Sequence, residues 1–102
     1  MAQWHLYEIE NSLNQIGWTI TKRIDTNEYD NYLGGWVIKR GTERIVDFEG
    51  IIDGNGNIIQ NPSVDKAYSC NIRETGISLY FYKKGKMWKN ALEKFINELK
   101  II

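Results

Sequence analysis

Cysteine, histidine and proline each occur only once in this chain of 102 residues. With the single cysteine, Cys70, the chain can form no internal disulfide and no metal site built from several cysteines. With the single histidine, His5, no zinc site of two or more histidines can be assembled, and a Ser-His-Asp or Cys-His arrangement would have to depend on that one residue. We therefore predict no resident metal and no cofactor.

The chain also has a net charge of zero and no long apolar run. Thirteen lysines and arginines balance thirteen acidic residues, so no overall electrostatic field attracts nucleic acid or an anionic membrane. No apolar run approaches the roughly 18 residues that span a bilayer. The first residues, MAQWHLYEIEN, have neither the basic start nor the apolar stretch of a secretory signal. These absences, together with the near lack of cysteine, predict a cytoplasmic protein with no membrane partner.

The chain does contain enough apolar sequence for a core. Hydrophobic residues make up 42% of it and aromatic residues 13%, which is the composition of a globular domain and not of a disordered segment. A chain of this length buries roughly two thirds of its unfolded surface and folds without disulfides or metals. We predict one globular domain over residues 1–102.

Hydrophobic periodicity predicts two helices that flank a set of strands. In WHLYEIENSLNQIG the apolar residues recur at helical spacing and Gly17 follows as a left-handed cap. Near the carboxyl end, one helical stripe contains Trp88, Leu92, Phe95, Leu99 and Ile102. Between them, alternating segments joined by turns at 40–43 and 73–76 indicate β-hairpins. The predicted fold is α+β: an N-terminal helix, an antiparallel β-meander of four to six strands and a C-terminal helix, with both helices packed on one sheet face.

The segment DGNGN, residues 53–57, resembles the opening of a calcium loop. Asp53, Asn55 and Asn57 match the first three ligand positions, but the required glycine and the bidentate glutamate are replaced by Ile58 and Val64. The segment is better explained as a turn, because the dipeptides Asp-Gly and Asn-Gly both favour type I′ hairpins. We interpret it as a surface hairpin that is available as a contact loop.

Asp47 and Glu49 form the best candidate carboxylate pair. Residues two apart on a strand project to the same face, so this pair could bind a hard cation or share acid and base roles. The alternative is an ordinary set of cross-strand charge pairs with Lys39 or Arg40 across the first hairpin.

The segment KKGKMWK, residues 83–89, places four lysines where a strand gives way to a helix. Backbone N–H groups at a helix N-terminus and nearby lysines can bind an anion or a phosphate. Trp88 or Tyr82 could stack on a nucleic-acid base. The alternative is a lysine-rich turn that keeps the end of a sheet soluble. The candidate residues of this site are Lys83, Lys84, Lys86, Lys89 and Trp88.

Aromatic residues suggest a different surface, because ISLYFY is apolar on both of its faces. Leu79 and its neighbours at steps of two face one side, and Tyr80 and Tyr82 face the other. Together with Trp36 and Tyr68, these tyrosines would form a patch of the composition favoured at protein interfaces. The alternative is that the tyrosines lie flat over lysine stems on a solvated sheet.

Three functional hypotheses follow. The first is a small non-enzymatic cytoplasmic binding module that acts through its open sheet face and hairpin loops, with another protein or a second copy as partner. The second is binding of an anion or single-stranded nucleic acid at residues 83–89. The third is a metal-dependent enzyme that uses Asp47 and Glu49. We expect His5 to face solvent and Cys70 to be a small buried hydrophobe.

Overall fold

The chain folds as an α+β structure with a helix at each end of a meandering sheet. The computed structural model describes residues 2–24, 33–50, 67–81 and 85–102, with side chains from residue 5 onward. The elements are α1 Ala2–Gln15, β1 Thr19–Ile24, β2 Gly35–Arg40, β3 Thr42–Glu49, β4 Ser69–Ile72, β5 Ser78–Tyr80 and α2 Gly85–Leu99. Within these residues the sheet has five strands in the order β1-β2-β3-β4-β5, and each neighbouring pair is antiparallel. The predicted α+β fold is confirmed.

The first helix ends where the sequence predicts. Gly17 has a φ of 94°, a left-handed conformation that a side chain would disfavour. The Trp18 amide then bonds back to the Leu13 carbonyl at 2.9 Å, which satisfies an oxygen left open at the helix end. This turn leads the chain directly into β1.

Side-chain alternation divides the sheet into two faces, which we call the core face and the polar face. The core face is almost fully buried and consists of Trp36, Ile38, Val46, Phe48, Cys70, Ile72 and Leu79. The positions between them form the polar face, which carries Val37, Lys39, Glu43, Ile45, Asp47, Glu49, Asn71, Ser78 and Tyr80.

One hydrophobic cluster joins the core face to both helices. Ile9 and Leu13 enter it from α1, and the contribution of α2 is Trp88, Phe95, Ile96 and Leu99. The predicted stripe of α2 therefore lies in the core, with Leu92 and Ile102 packed against it as half-buried members. The packing of both helices on one sheet face stays a prediction.

Arg40, the last residue of β2, ties the ends of the two helices together. Its guanidinium lies 4.9 Å from the centre of the Trp18 ring, and the Trp18 indole nitrogen donates to the Leu99 carbonyl at 3.3 Å. A cation is favourable here because a helix C-terminus carries partial negative charge. The guanidinium donates over 2.9 to 3.3 Å to the main-chain oxygens of Ile16, Leu99, Lys100 and Ile102.

Strand β1 contains a bulge. Ile20 pairs with Ile38 and Lys22 pairs with Val37, so Thr21 is an extra residue on β1. The Thr21 hydroxyl donates to the Val37 carbonyl at 3.3 Å. A bulge of this kind bends a strand and increases its twist, and here it lies on one of the two edge strands of the sheet.

Two further predictions concern the membrane and the segment DGNGN. None of the helices among the described residues is both long enough and apolar enough to cross a bilayer. Residues 53–57 lie outside the described part of the chain, so the hairpin interpretation and the calcium alternative both stay predictions.

Candidate functional site

The polar face holds the carboxylates that the sequence singled out, and both are engaged by neighbours on the β4 side. Asp47 accepts two hydrogen bonds from Arg73, from Nε at 2.9 Å and from the terminal nitrogen at 2.8 Å. Glu49 accepts one from the side-chain amide of Asn71 at 2.7 Å. A bidentate arginine–carboxylate pair of this geometry fixes both side chains in place.

The prediction that Asp47 and Glu49 pair with Lys39 or Arg40 across the first hairpin was wrong. The register of the first hairpin places Lys39 opposite Glu43, and Arg40 opposite Thr42. Asp47 lies opposite Gly35 on β2, which has no side chain to offer, and its charged partner comes from beyond the other neighbouring strand, β4. Asp47 and Glu49 are thus part of a polar hydrogen-bond network on this face.

The described residues contain no group of three or more His, Cys, Asp and Glu side chains that could hold a metal ion. The third hypothesis, a metal-dependent enzyme that uses Asp47 and Glu49, therefore has no supporting cluster in this part of the chain. It stays a prediction.

Two residues of the predicted interaction surface, Trp36 and Tyr80, lie on opposite faces of the sheet. Trp36 is only 2% exposed: it lies on the core face, edge-on to Phe48 with ring centres 4.9 Å apart. Tyr80 is half-exposed on the polar face, where it pairs with Ser69. Tyr68, also half-exposed, precedes Ser69 and forms no cross-strand pair with Tyr80. Tyr82 lies outside the described residues.

The lysine-rich junction is only partly described. Lys86 and Lys89 are exposed on the first turns of α2, and Lys83 and Lys84 lie outside the described residues. Trp88, the proposed stacking platform, is 4% exposed and belongs to the core, so it presents almost no surface to a base. The anion or nucleic-acid hypothesis stays a prediction, without a described aromatic platform.

His5 does not face solvent as expected. Its ring stacks on the Trp88 indole with centres 3.8 Å apart, and its side chain is only 19% exposed. Glu8 completes the cluster, because it accepts a hydrogen bond from the Trp88 indole nitrogen at 3.1 Å. The cluster could not be inferred from helical periodicity, since the Glu8–Trp88 hydrogen bond joins residues that are 80 positions apart in the chain.

A groove of about 260 Å³ runs between β5 and α2. Ser78 and Tyr80 line it from the strand, and Lys94, Phe95 and Glu98 line it from the helix. Sequence reasoning did not identify this groove, because Lys94 and Glu98 lie off the apolar stripe of α2 and gave no signal of their own. The groove opens at the edge of the sheet, beside the polar face.

Cys70 is a free, buried thiol, as expected from its strand. Burial raises its pKa far above the ordinary value of 9.0, and the nearby Glu49 carboxylate adds to the rise. The raised pKa favours the protonated thiol in the folded state, and a protonated thiol is a poor nucleophile and a poor metal ligand.

Alkaline pH is expected to destabilise the chain through Cys70. Because the folded pKa is raised, the contribution of the thiol is fully present below pH 9.0 and is lost as the pH rises, since the unfolded chain releases this proton first. The free energy of unfolding should fall by up to about 1.4 kcal/mol per pH unit from this group. Urea unfolding between about pH 8 and 10.5 should show a shallower decline for Cys70→Ala than for the wild type or the matched control Ser69→Ala. Parallel slopes for all three proteins would contradict the prediction.

No protein family, curated protein sequence or solved structure matches this chain. Its function must therefore be argued from its own surfaces.

Proposed function

We propose that this chain is a small non-enzymatic protein-binding module whose contact surface is the polar face of the sheet. The observation that carries the proposal is the mixture of side chains on that face. Val37 and Ile45 pair across β2 and β3 as half-buried apolar residues, and Tyr80 adds a half-exposed aromatic ring on β5. An apolar centre among polar side chains, with tyrosine present, is the composition of protein interfaces.

The charged residues of the face support binding more than catalysis. The Asp47–Arg73 and Glu49–Asn71 hydrogen bonds hold four side chains in fixed positions. A surface whose polar groups are already ordered loses less side-chain entropy when a partner arrives. The same hydrogen bonds occupy the carboxylates that acid–base chemistry would need.

Two hairpin turns extend this surface at one end of the sheet. One is the turn at Gly41 between β2 and β3, where φ is 79°. The other follows β4, and the Arg73 amide at its start bonds to the Ile45 carbonyl of β3. Both turns therefore lie at the same end of the polar face, where loops that contact partners are commonly found.

Site-specific photo-cross-linking tests the proposal. A benzoylphenylalanine is placed at Tyr80 or at Lys39, both exposed on the polar face, in cells that produce the chain. We expect a discrete adduct of higher mass from both positions, because a partner seated on the face lies within reach of both.

The matched control is the same probe at Lys89, which is exposed on α2. It should give no such adduct, and mass spectrometry of the product should identify peptides of one defined protein. Adducts of equal yield at all three positions, or none at either polar-face position, would contradict the proposal.

A further inference from the structure

The side of α2 next to the groove carries a second stripe beside the one buried in the core. Its members are Ala91, Lys94 and Glu98 on α2, with Ala91 half-buried against the core, and Ile101 in the turn that follows the helix, at spacings of three, four and three residues. Ile101 is 84% exposed, which is unusual for a large apolar side chain. We call these four residues the edge stripe.

The edge stripe is self-complementary. When two α2 helices pack antiparallel about a two-fold axis at the level of Ile96, Lys94 of each copy faces Glu98 of the other. The same axis brings Ala91 of each copy to Ile101 of the other, since both pairs are centred on position 96. One symmetry operation therefore creates two ion pairs and two apolar contacts, as a closed two-fold interface requires.

Both charges of the stripe are available for such contacts. Within the described part of the chain, neither Lys94 nor Glu98 takes part in an ion pair shorter than 4 Å. Lys94 is exposed and Glu98 half-buried, and both line the groove beside β5. Opposite charges that meet across an interface fix its register and select against wrong arrangements.

The adjacent strand edge fits the same arrangement. The Ile77 carbonyl accepts from the Ile72 amide of β4, and the Phe81 amide donates to the carbonyl of Tyr68, directly before β4. In an antiparallel ladder, alternate residues bond to the same neighbour, so the main-chain groups of Ser78 between them point away from β4. Ser78 is exposed and lines the groove with Lys94, and its amide and carbonyl are suited to antiparallel pairing with Ser78 of a second copy.

We propose that two copies of this chain associate through the edge stripe and the β5 edge, about a two-fold axis. This inference rests on the proposed function, because it names a second copy as one partner of the module. The association would leave the polar faces of both copies open, so a further protein could bind at the same time.

Charge reversal within the edge stripe tests the proposal. Sedimentation equilibrium on the full chain should show a dimer for the wild type. Lys94→Glu and Glu98→Lys should each raise the dimer dissociation constant at least about tenfold, because each places like charges opposite one another twice. The double variant with both reversals should return to within about threefold of the wild type, because the ion pairs re-form with their signs exchanged.

The control is Glu93→Lys, a charge reversal of exposed α2 outside the edge stripe, which should leave dimerisation unchanged. Circular dichroism verifies that each variant is folded. A wild type that stays monomeric at about 0.5 mM, or single reversals that leave the dimer intact, would overturn the dimer proposal. A monomer that still forms polar-face adducts with another protein leaves the binding function standing, whereas a dimer without such adducts removes the polar face as the contact surface.

Discussion

Replacing Arg40 with methionine is expected to lower the free energy of unfolding by about 2–4 kcal/mol, because each hydrogen bond from a charged group contributes about 1.5–3 kcal/mol and the guanidinium is partly exposed. Four main-chain oxygens at the helix ends each lose a hydrogen bond. The cation–π contact with Trp18 is lost as well. Methionine retains an apolar stem over the ring, so the loss comes from the guanidinium. Chemical denaturation followed by tryptophan fluorescence measures it.

Two controls separate the guanidinium from general effects of substitution. Arg40→Lys keeps the charge but offers a compact ammonium, which cannot reach oxygens spread over two helix ends, so less than half of the stability should return. Lys39→Met removes a cation from the neighbouring exposed position and should change stability by less than about 0.5 kcal/mol. Full recovery with lysine, or an effect of Arg40→Met no larger than that of Lys39→Met, would show that the guanidinium hydrogen bonds contribute little.

Phe95→Ala is expected to have the largest effect on stability, about 3–5 kcal/mol, which is the usual cost of removing a buried phenylalanine side chain. Phe95 is 1% exposed near the middle of α2 and belongs to the central cluster. Alanine has the highest helix propensity, so the loss reports packing and not helix formation. Urea unfolding should show a lower midpoint with an unchanged slope.

The matched control for Phe95→Ala lies on the same helix. Lys89→Ala, at an exposed position, should stay within about 0.5 kcal/mol of the wild type. Phe95→Leu, which retains part of the volume, should cost clearly less than alanine. Equal costs for leucine and alanine would mean that the site collapses around either residue, contrary to a closely packed core.

Periodicity was sufficient to predict the helices and strands because both patterns are local and burial enforces them. Val46 and Phe48 alternate with Asp47 and Glu49, and the structure places these pairs on opposite faces of β3. The stripe of α2 likewise predicted the residues that enter the core. These inferences need only the spacing of side chains within one element.

The candidate site was harder to predict from the sequence, because it depends on which strands and helices contact one another. Trp36 was grouped with exposed tyrosines by residue type, although its alternation with Val37 places it on the core face beside Ile38. The Asp47–Arg73 pair depends on the register between β3 and β4. β3 ends at Glu49 and β4 begins only at Ser69, so no short loop in the sequence specified that register.

The bulge in β1 determines how far the sheet can extend from one molecule to the next. If both edges were regular, β5 of one molecule could pair with β1 of another, and head-to-tail addition would continue into a filament. The extra residue at Thr21 interrupts that ladder, and the exposed cation Lys22 disfavours the addition of a second strand at this edge. If two copies pair through β5 as we propose, growth of the sheet would stop at that pair, and the protein should resist fibrillar aggregation.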